Sequence, residues 1–286
     1  MPYVFFIMIC IIWSSSFILM KKAAIAFSPV SIGWWRVFWG AAVLGLLCWR
    51  RGLLQWPQKR HWPALTVVAL LGCAAPYVVQ PVVVNHQGGA FMAMAVSCVP
   101  LLTIVLSIPM LGTYPSRCQL FGVCAAFCCM GLLLVDGVKR QIPLSDFGLA
   151  VTVPLGYALT NTVIRRWLHD LPALLLTCLS LSMSTLLLMP FAFRDPVSTP
   201  EQWWWASGGL MILGVMGTGL AMFWFNRLVQ DHGPLFAGMT TNIVPIGAVL
   251  WGWIDQEAIS QRQLFALGGI LFAVACVQYR GAAKPA

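Results

Sequence analysis

The sequence predicts an all-α integral membrane protein of ten transmembrane helices, arranged as two inverted five-helix repeats. Three observations carry that expectation: an apolar composition, ten apolar runs of spanning length, and a similarity between the two halves of the chain. Of the 286 residues, 60% are hydrophobic and 9% charged, with a mean hydropathy of +0.84. Soluble domains carry roughly 25% charged residues, so the polar side chains here are too few to clothe a soluble core of this size. A soluble enzyme, a nucleic-acid-binding protein and a disordered chain are excluded on that ground.

A helix that crosses a bilayer needs about 20 mostly apolar residues. The first such run, 3–21, has no basic stretch ahead of it and exceeds the apolar core of a secretory signal, so it is expected to stay in the membrane. The second and third, 32–49 and 63–81, flank the basic loop Arg50–Arg60. Pro115, Ser116 and Arg117 part the fourth run, 90–112, from the fifth, 118–135. A polar stretch from Asp136 to Asp146 leads to the sixth and seventh, 147–167 and 172–193. Arg194–Glu201 precedes the eighth, 203–226, and Asp255–Gln261 separates the ninth, 234–254, from the tenth, 261–279. Helices satisfy their own backbone in lipid, and the short alternating segments of a β-barrel are absent. The 10 cysteines lie mostly inside the apolar runs, where cysteine acts as a small hydrophobe, and their spacing fits neither a disulfide framework nor a zinc site. No metal or cofactor is expected.

Residues 85–100 (NHQGGAFMAMAVSCVP) and 230–245 (QDHGPLFAGMTTNIVP) align without gaps at an offset of 145. They share Gly88/Gly233, Phe91/Phe236, Met94/Met239, Val99/Val244 and Pro100/Pro245, and Ser97 meets Asn242. The register extends upstream to Gly72/Gly217 and, slipped by one, downstream to Gln119/Gln263. Trp13 with Lys21-Lys22 mirrors Tyr157 with Arg165-Arg166. Five spans per repeat is an odd number, so the second copy enters the membrane from the opposite side. Such inverted pairs place a binding site near the midplane and rock about it.

Charge sets the orientation. Ten Lys and Arg residues fall on the side of the termini and six on the other, with Arg36 counted apart, so the positive-inside rule puts both termini in the cytoplasm. Lys21-Lys22 after the first span run against that local trend.

The opening residues Trp13-Ser14-Ser15-Ser16-Phe17 with Lys21, then Pro29 with Arg36 and Phe38, resemble the drug/metabolite transporter superfamily and its EamA-type members. Each half also resembles the family's closing pattern: Pro245, Glu257, Gln263 and Gly269 in the second, and Pro100, Thr113, Gln119, Gly122 and Gly131 in the first. Serine stands at Ser14 where the family has glycine, and Thr113 where it has an acid. The resemblance covers 4–135 and 148–279 and implies two EamA-type repeats of five helices each. It further implies a multi-pass carrier of a bacterial inner (plasma) membrane that exports or exchanges small organic solutes such as amino acids, metabolites or drugs.

All eight acids map to loops or span ends, whereas a proton- or cation-coupled carrier usually keeps a carboxylate at membrane depth. A facilitator or exchanger of neutral, zwitterionic or anionic solutes follows. Lys21, Lys22 and Arg36 are the notable cations; a central Arg or Lys costs about 2.5–3.5 kcal/mol, so each is either a site residue or snorkels to the outer interface. The candidate substrate-binding set is Trp13, Ser16, Lys21, Arg36, Tyr77, Gln80, Met94, Ser97, Tyr157, Asn161, Thr241 and Asn242. The serines and threonines among these can equally bond their own helix backbone, and the polar groups can glue helices together. An amide has four bonding sites to satisfy, which favours a cavity for Asn161 and Asn242. Trp13, Tyr157, Trp224, Phe236, Met94 and Met239 could wall a cavity or fill a core, while Trp203-Trp204-Trp205 reads as an interfacial belt. Pro76, Pro100, Pro154 and Pro245 lie inside spans, and Pro100 and Pro245 are candidate gating points. Gly122 and Ala126, with Gly269 and Ala273, form small-residue ridges suited to contact between repeats or in a homodimer.

The expected partners are a small-molecule solute and the bilayer. A multidrug efflux carrier is the nearest alternative, followed by a channel or a non-transporting receptor. An intramembrane enzyme would need nucleophile, base or metal ligands at depth, yet His61, His86, His169 and His232 all map to loops or interfaces.

Overall fold

The computed structural model describes residues 2–112, 114, 116, 117, 120–122, 124, 125, 128, 129, 131, 132, 141–193, 195 and 198–279. Among them run nine helices: α1 (Pro2–Ala23), α2 (Pro29–Arg50), α3 (Lys59–Gln87), α4 (Gly89–Leu111), α5 (Leu144–Trp167), α6 (Ala173–Phe191), α7 (Pro200–His232), α8 (Phe236–Ile254) and α9 (Gln261–Tyr279). The first eight contain segments long and apolar enough to cross a membrane. Their bounds follow the apolar runs of the sequence to within a few residues. The fifth expected span, 118–135, lies partly outside the described residues, as do Thr113, Gln119 and Ala126; Leu120–Gly122, Cys124, Ala125, Cys128, Cys129, Gly131 and Leu132 within it are helical.

Polar residues start the helices where the bundle meets its surroundings. Ser28 accepts from the Ser31 amide ahead of α2, and Pro29 fills the position whose amide needs no partner. Thr199 and Gln202 close a reciprocal capping box at the head of α7, and Ser260 and Gln263 exchange the same two bonds ahead of α9. Gly88 and Gly233 end α3 and α7 at φ 89°, ψ 161° and φ 89°, ψ 162°, a conformation essentially restricted to glycine.

Two features recur at the same offset of 145. Each of α3 and α7 contains a π-helical stretch, Val68–Ala74 and Leu213–Leu220, and the two begin at matching positions. The glycine pair Gly88/Gly233 follows each of them. α4 and α8 are both broken as well, at Ser97–Cys98 and at Met239. The breaks meet, because a methyl on Gly238 would sit 3.5 Å from the Pro100 ring. Pro100 lies in the first turn of the second segment of α4, whereas Pro245 lies inside that of α8, so the aligned prolines occupy different places along their helices.

Helix directions alternate between two faces. On the face of the N-terminus, Tyr3 meets Phe236 edge-on at 6.4 Å, Arg60 and His61 reach Asp170 at 2.5 and 3.1 Å, Arg166 donates to the Met110 carbonyl, and Gln230 donates to the Leu168 and Leu171 carbonyls. On the opposite face the Ser28 amide donates to Asp195, Lys21 pairs with Asp255 and Glu257, and His86 and Gln87 hold Asp146. Between the faces the helices approach closely at small residues, as membrane helices do. A Cβ on Gly40 of α2 would fall 3.2 Å from the Gly219 amide in the π stretch of α7, and one on Gly156 of α5 would fall 2.5 Å from the Leu71 carbonyl in that of α3.

Candidate functional site

A cavity enclosing about 650 Å³ of atom-free space, continuous in part with the outside, lies where seven helices converge. Its walls come from Trp13, Ser16 and Phe17 of α1, Arg36 of α2, Tyr77 and Gln80 of α3, Val96 and Val99 of α4, Tyr157, Thr160, Asn161 and Ile164 of α5, Met222, Phe225 and Asn226 of α7, and Thr241 and Val244 of α8. The lining is mostly apolar and aromatic, with polar groups placed among it.

The π stretches precede the cavity-lining segments of α3 and α7 and expose backbone carbonyls that other helices satisfy. Trp13 Nε1 donates to the Gly217 carbonyl at 2.9 Å, and Ser184 Oγ donates to the Ala69 carbonyl at 2.8 Å. Thr218 Oγ1, in the same stretch as Gly217, donates back to Leu213 and accepts from Arg36 Nε at 3.2 Å. The Arg36 guanidinium is 2% exposed, lies 4.2 Å over the Tyr77 ring and directs Nη1 at the Met20 sulfur, 2.9 Å away. Gln80 Nε2 donates to the Tyr157 hydroxyl at 2.8 Å. Asn226 spends its Nδ2 on Thr177 at 2.9 Å, but its Oδ1 and the Asn161 Nδ2 are buried without a partner.

Of the twelve residues the sequence singled out for substrate contact, the structure gathers eight on this cavity: Trp13, Ser16, Arg36, Tyr77, Gln80, Tyr157, Asn161 and Thr241. Met94 is instead packed where α4 meets α9, and the adjacent Ser97 closes its hydroxyl on the Met94 carbonyl at 2.6 Å. Asn242 is 6% exposed with an unpartnered Oδ1 and is not part of the lining. Trp224 stacks on Phe5 at 5.6 Å, and Phe236 packs among Tyr3, Phe6 and His232.

Lys21 belongs to a second cavity of about 550 Å³ of atom-free space on the face opposite the N-terminus. It bridges Asp255 at 2.5 Å and Glu257 at 3.4 Å. Glu257 also accepts from the Gly89 and Ala90 amides at 3.0 and 3.2 Å, so one carboxylate ties α1 to the head of α4 and the end of α8. Hydrogen bonding from Lys21, above all, holds the Asp255 carboxyl below the usual carboxylate range.

The remaining lining residues were not in that set, and the repeat register holds the signal that would have found several of them. Offset by 145, Tyr77 corresponds to Met222, Gln80 to Phe225, Val96 to Thr241 and Val99 to Val244. In the register of Trp13 and Tyr157, one shorter, Ser16 corresponds to Thr160 and Phe17 to Asn161. The lining is therefore built largely of equivalent positions from the two halves. Arg36 has no charged counterpart: the equivalent stretch of α6 carries Leu179, Ser180 and Leu181.

The sequence matches the profile of the EamA-like transporter family twice, over residues 1–135 and 147–279. It is similar to an uncharacterized transporter, YoaV, of Bacillus subtilis (strain 168), at 22% identity over 257 residues, covering 87% of this chain and 86% of that one. A protein of known crystal structure shares the fold over 99% of both chains with a TM-score of 0.69 at 16% identity.

Proposed function

Because the chain belongs to the EamA-like transporter family, we propose that it is a secondary carrier of small organic solutes such as amino acids and related metabolites. It exports or exchanges them by alternating access around the central cavity, between two inverted five-helix repeats spanning 4–135 and 148–279. The observation that carries this reading is the lining itself, in which equivalent positions of the two halves face one central space. A site shared by the halves of an inverted repeat lies where rocking of one half against the other exposes it to each side in turn.

Ten crossings are favoured by the chain's endpoints around 113–143. Met110 is held on the face of the N-terminus by Arg166, and Asp146 on the opposite face by His86. The intervening residues therefore join opposite faces and, at about 20 residues per crossing, have room for one further span. With four spans before it, that makes five in the first half, the odd number an inverted repeat needs. The basic excess on the face of the N-terminus supports cytoplasmic termini, and the family resemblance an inner or plasma membrane. In this arrangement the Lys21–Asp255–Glu257 cluster lies on the outer side, and its release would accompany outward opening.

Counterflow in proteoliposomes tests the reading, with labelled amino acids, organic acids, nucleosides and cationic dyes at matched and unmatched pH. Saturable exchange that is indifferent to the pH gradient is the expected result. Strict dependence on a proton gradient would overturn the uncoupled mechanism. Conducted flux without counterflow would point to a channel, and absence of flux from folded protein to a receptor.

A further inference from the structure

We infer that Arg36 is the seat of an anionic group on the solute, so that the central cavity selects molecules bearing one carboxylate or a chemically similar acid. The inference rests on the carrier reading above and names the solute class that reading leaves open.

The charge on Arg36 is inside the bundle and has no ionic partner. Its hydrogen bonds go to a threonine hydroxyl and a thioether, its flat face lies on Tyr77, and among the described residues no carboxylate approaches within 4.0 Å. A guanidinium offers five donors, most of which these contacts leave unused. A buried charge without a counter-charge is costly, and proteins retain one where it has work to do. The other cations near this end of α1 are already committed, because Lys21 bridges Asp255 and Glu257 and Lys22 reaches Asp255 at 3.3 Å.

Two further groups on the same cavity point to a ligand. Asn161 is 2% exposed and its Nδ2 has no acceptor, which adds a donor suited to an acid. Asn226 is 1% exposed and its Oδ1 has no donor, which suits an N–H or O–H elsewhere on the solute. A planar guanidinium takes a carboxylate in two parallel hydrogen bonds, a geometry a lone ammonium cannot match. The symmetry of the lining sharpens the point. Most of the wall comes from equivalent positions of the two halves that carry different side chains, and its cation stands in the first half, so the solute is oriented by its acid end.

The test compares acids with their amides, using 3-phenylpropionate against 3-phenylpropionamide and L-leucine against L-leucinamide. Each is measured by counterflow and by thermal stabilisation of the purified full-length protein. The wild type is expected to favour the acid of at least one pair by about tenfold or more. Arg36→Gln should abolish that preference, and so should Met20→Glu, which places a carboxylate beside Nη1 as an internal competitor. Neither substitution should lower the melting temperature of the ligand-free protein, since each relieves an uncompensated charge; a purely structural arginine would give the reverse. Equal handling of acid and amide by the wild type, or a preference that survives both substitutions, would overturn the anion seat while leaving the carrier intact. Absence of counterflow for every probe from folded protein would overturn the carrier reading. Stabilisation by the acids alone would then still support the seat, and its absence would remove that as well.

Discussion

Gly88 and Gly233 form a matched pair in which one glycine is crowded and the other is not, so replacing each by alanine separates backbone strain from contact. Both hold φ 89° with nearly equal ψ, and an alanine there costs about 1–3 kcal/mol at either site. A Cβ on Gly233 would meet nothing within 4 Å, while one on Gly88 would lie 2.8 Å from Glu257 Oε2 and 3.0 Å from its Cδ. The carboxylate must then retreat from the Gly89 and Ala90 amides. Hydrogen bonds to a charged group contribute about 1.5–3 kcal/mol each. Loss of one or both should make Gly88→Ala worse than Gly233→Ala by about 1.5–6 kcal/mol. The Lys21 bridge adds little to that difference, because Lys21 is one-third exposed and its attraction is screened. Unfolding of both variants in one detergent, followed by tryptophan fluorescence, gives the comparison. In a Glu257→Ala background the excess should vanish, leaving the two alanines equally costly. Equal cost in the wild-type background, or an excess that persists without Glu257, would refute the assignment of Glu257 as the clasp.

Asp255 is held below the ordinary carboxylate range by its Lys21 hydrogen bond, so its stabilising effect is complete above that range and is lost as the pH falls through the depressed value. The difference in melting temperature between wild type and Asp255→Asn should stay constant between about pH 5 and 8 and shrink only in stronger acid. Gly247→Ala would drive a Cβ to 2.5 Å from that of Ser14 and should cost about 1–3 kcal/mol in thermal unfolding, of which Ser14→Gly in the same chain restores most.

The spans were legible because the lipid sets one length and one composition for every crossing, and both can be counted along the chain. The two broken helices and the π stretches were not. Val68–Ala74 and Leu213–Leu220 are as apolar as the α-helix around them, and nothing in their residue types marks the extra residue per turn. Lys21 and Glu257 lie 236 residues apart, and a single sequence carries no signal that joins them. Arg36 was visible as a cation near a span end, but its exposure is decided by helix packing, which turns it inward onto Tyr77 and Thr218. The cavity itself was half legible: eight polar or aromatic residues stood out within the spans, whereas Val96, Val99, Ile164 and Met222 had no chemistry to distinguish them from core, and Asn226 was overlooked near the end of its span.

The paired π stretches also bear on how such a chain arose. A π turn amounts to one residue added to an α-helix, and the same addition at the same place in both halves is most simply an event that preceded their joining. On that account an ancestral single half, supplying only part of the wall, would enclose a pocket only by pairing with another copy. In such a self-assembled pair every side chain occurs twice, so a cation at the position of Arg36 would have faced the site from both copies. In a chain that holds both halves, each half can mutate alone. A wall with one charged end is a form that no pair of identical copies could acquire.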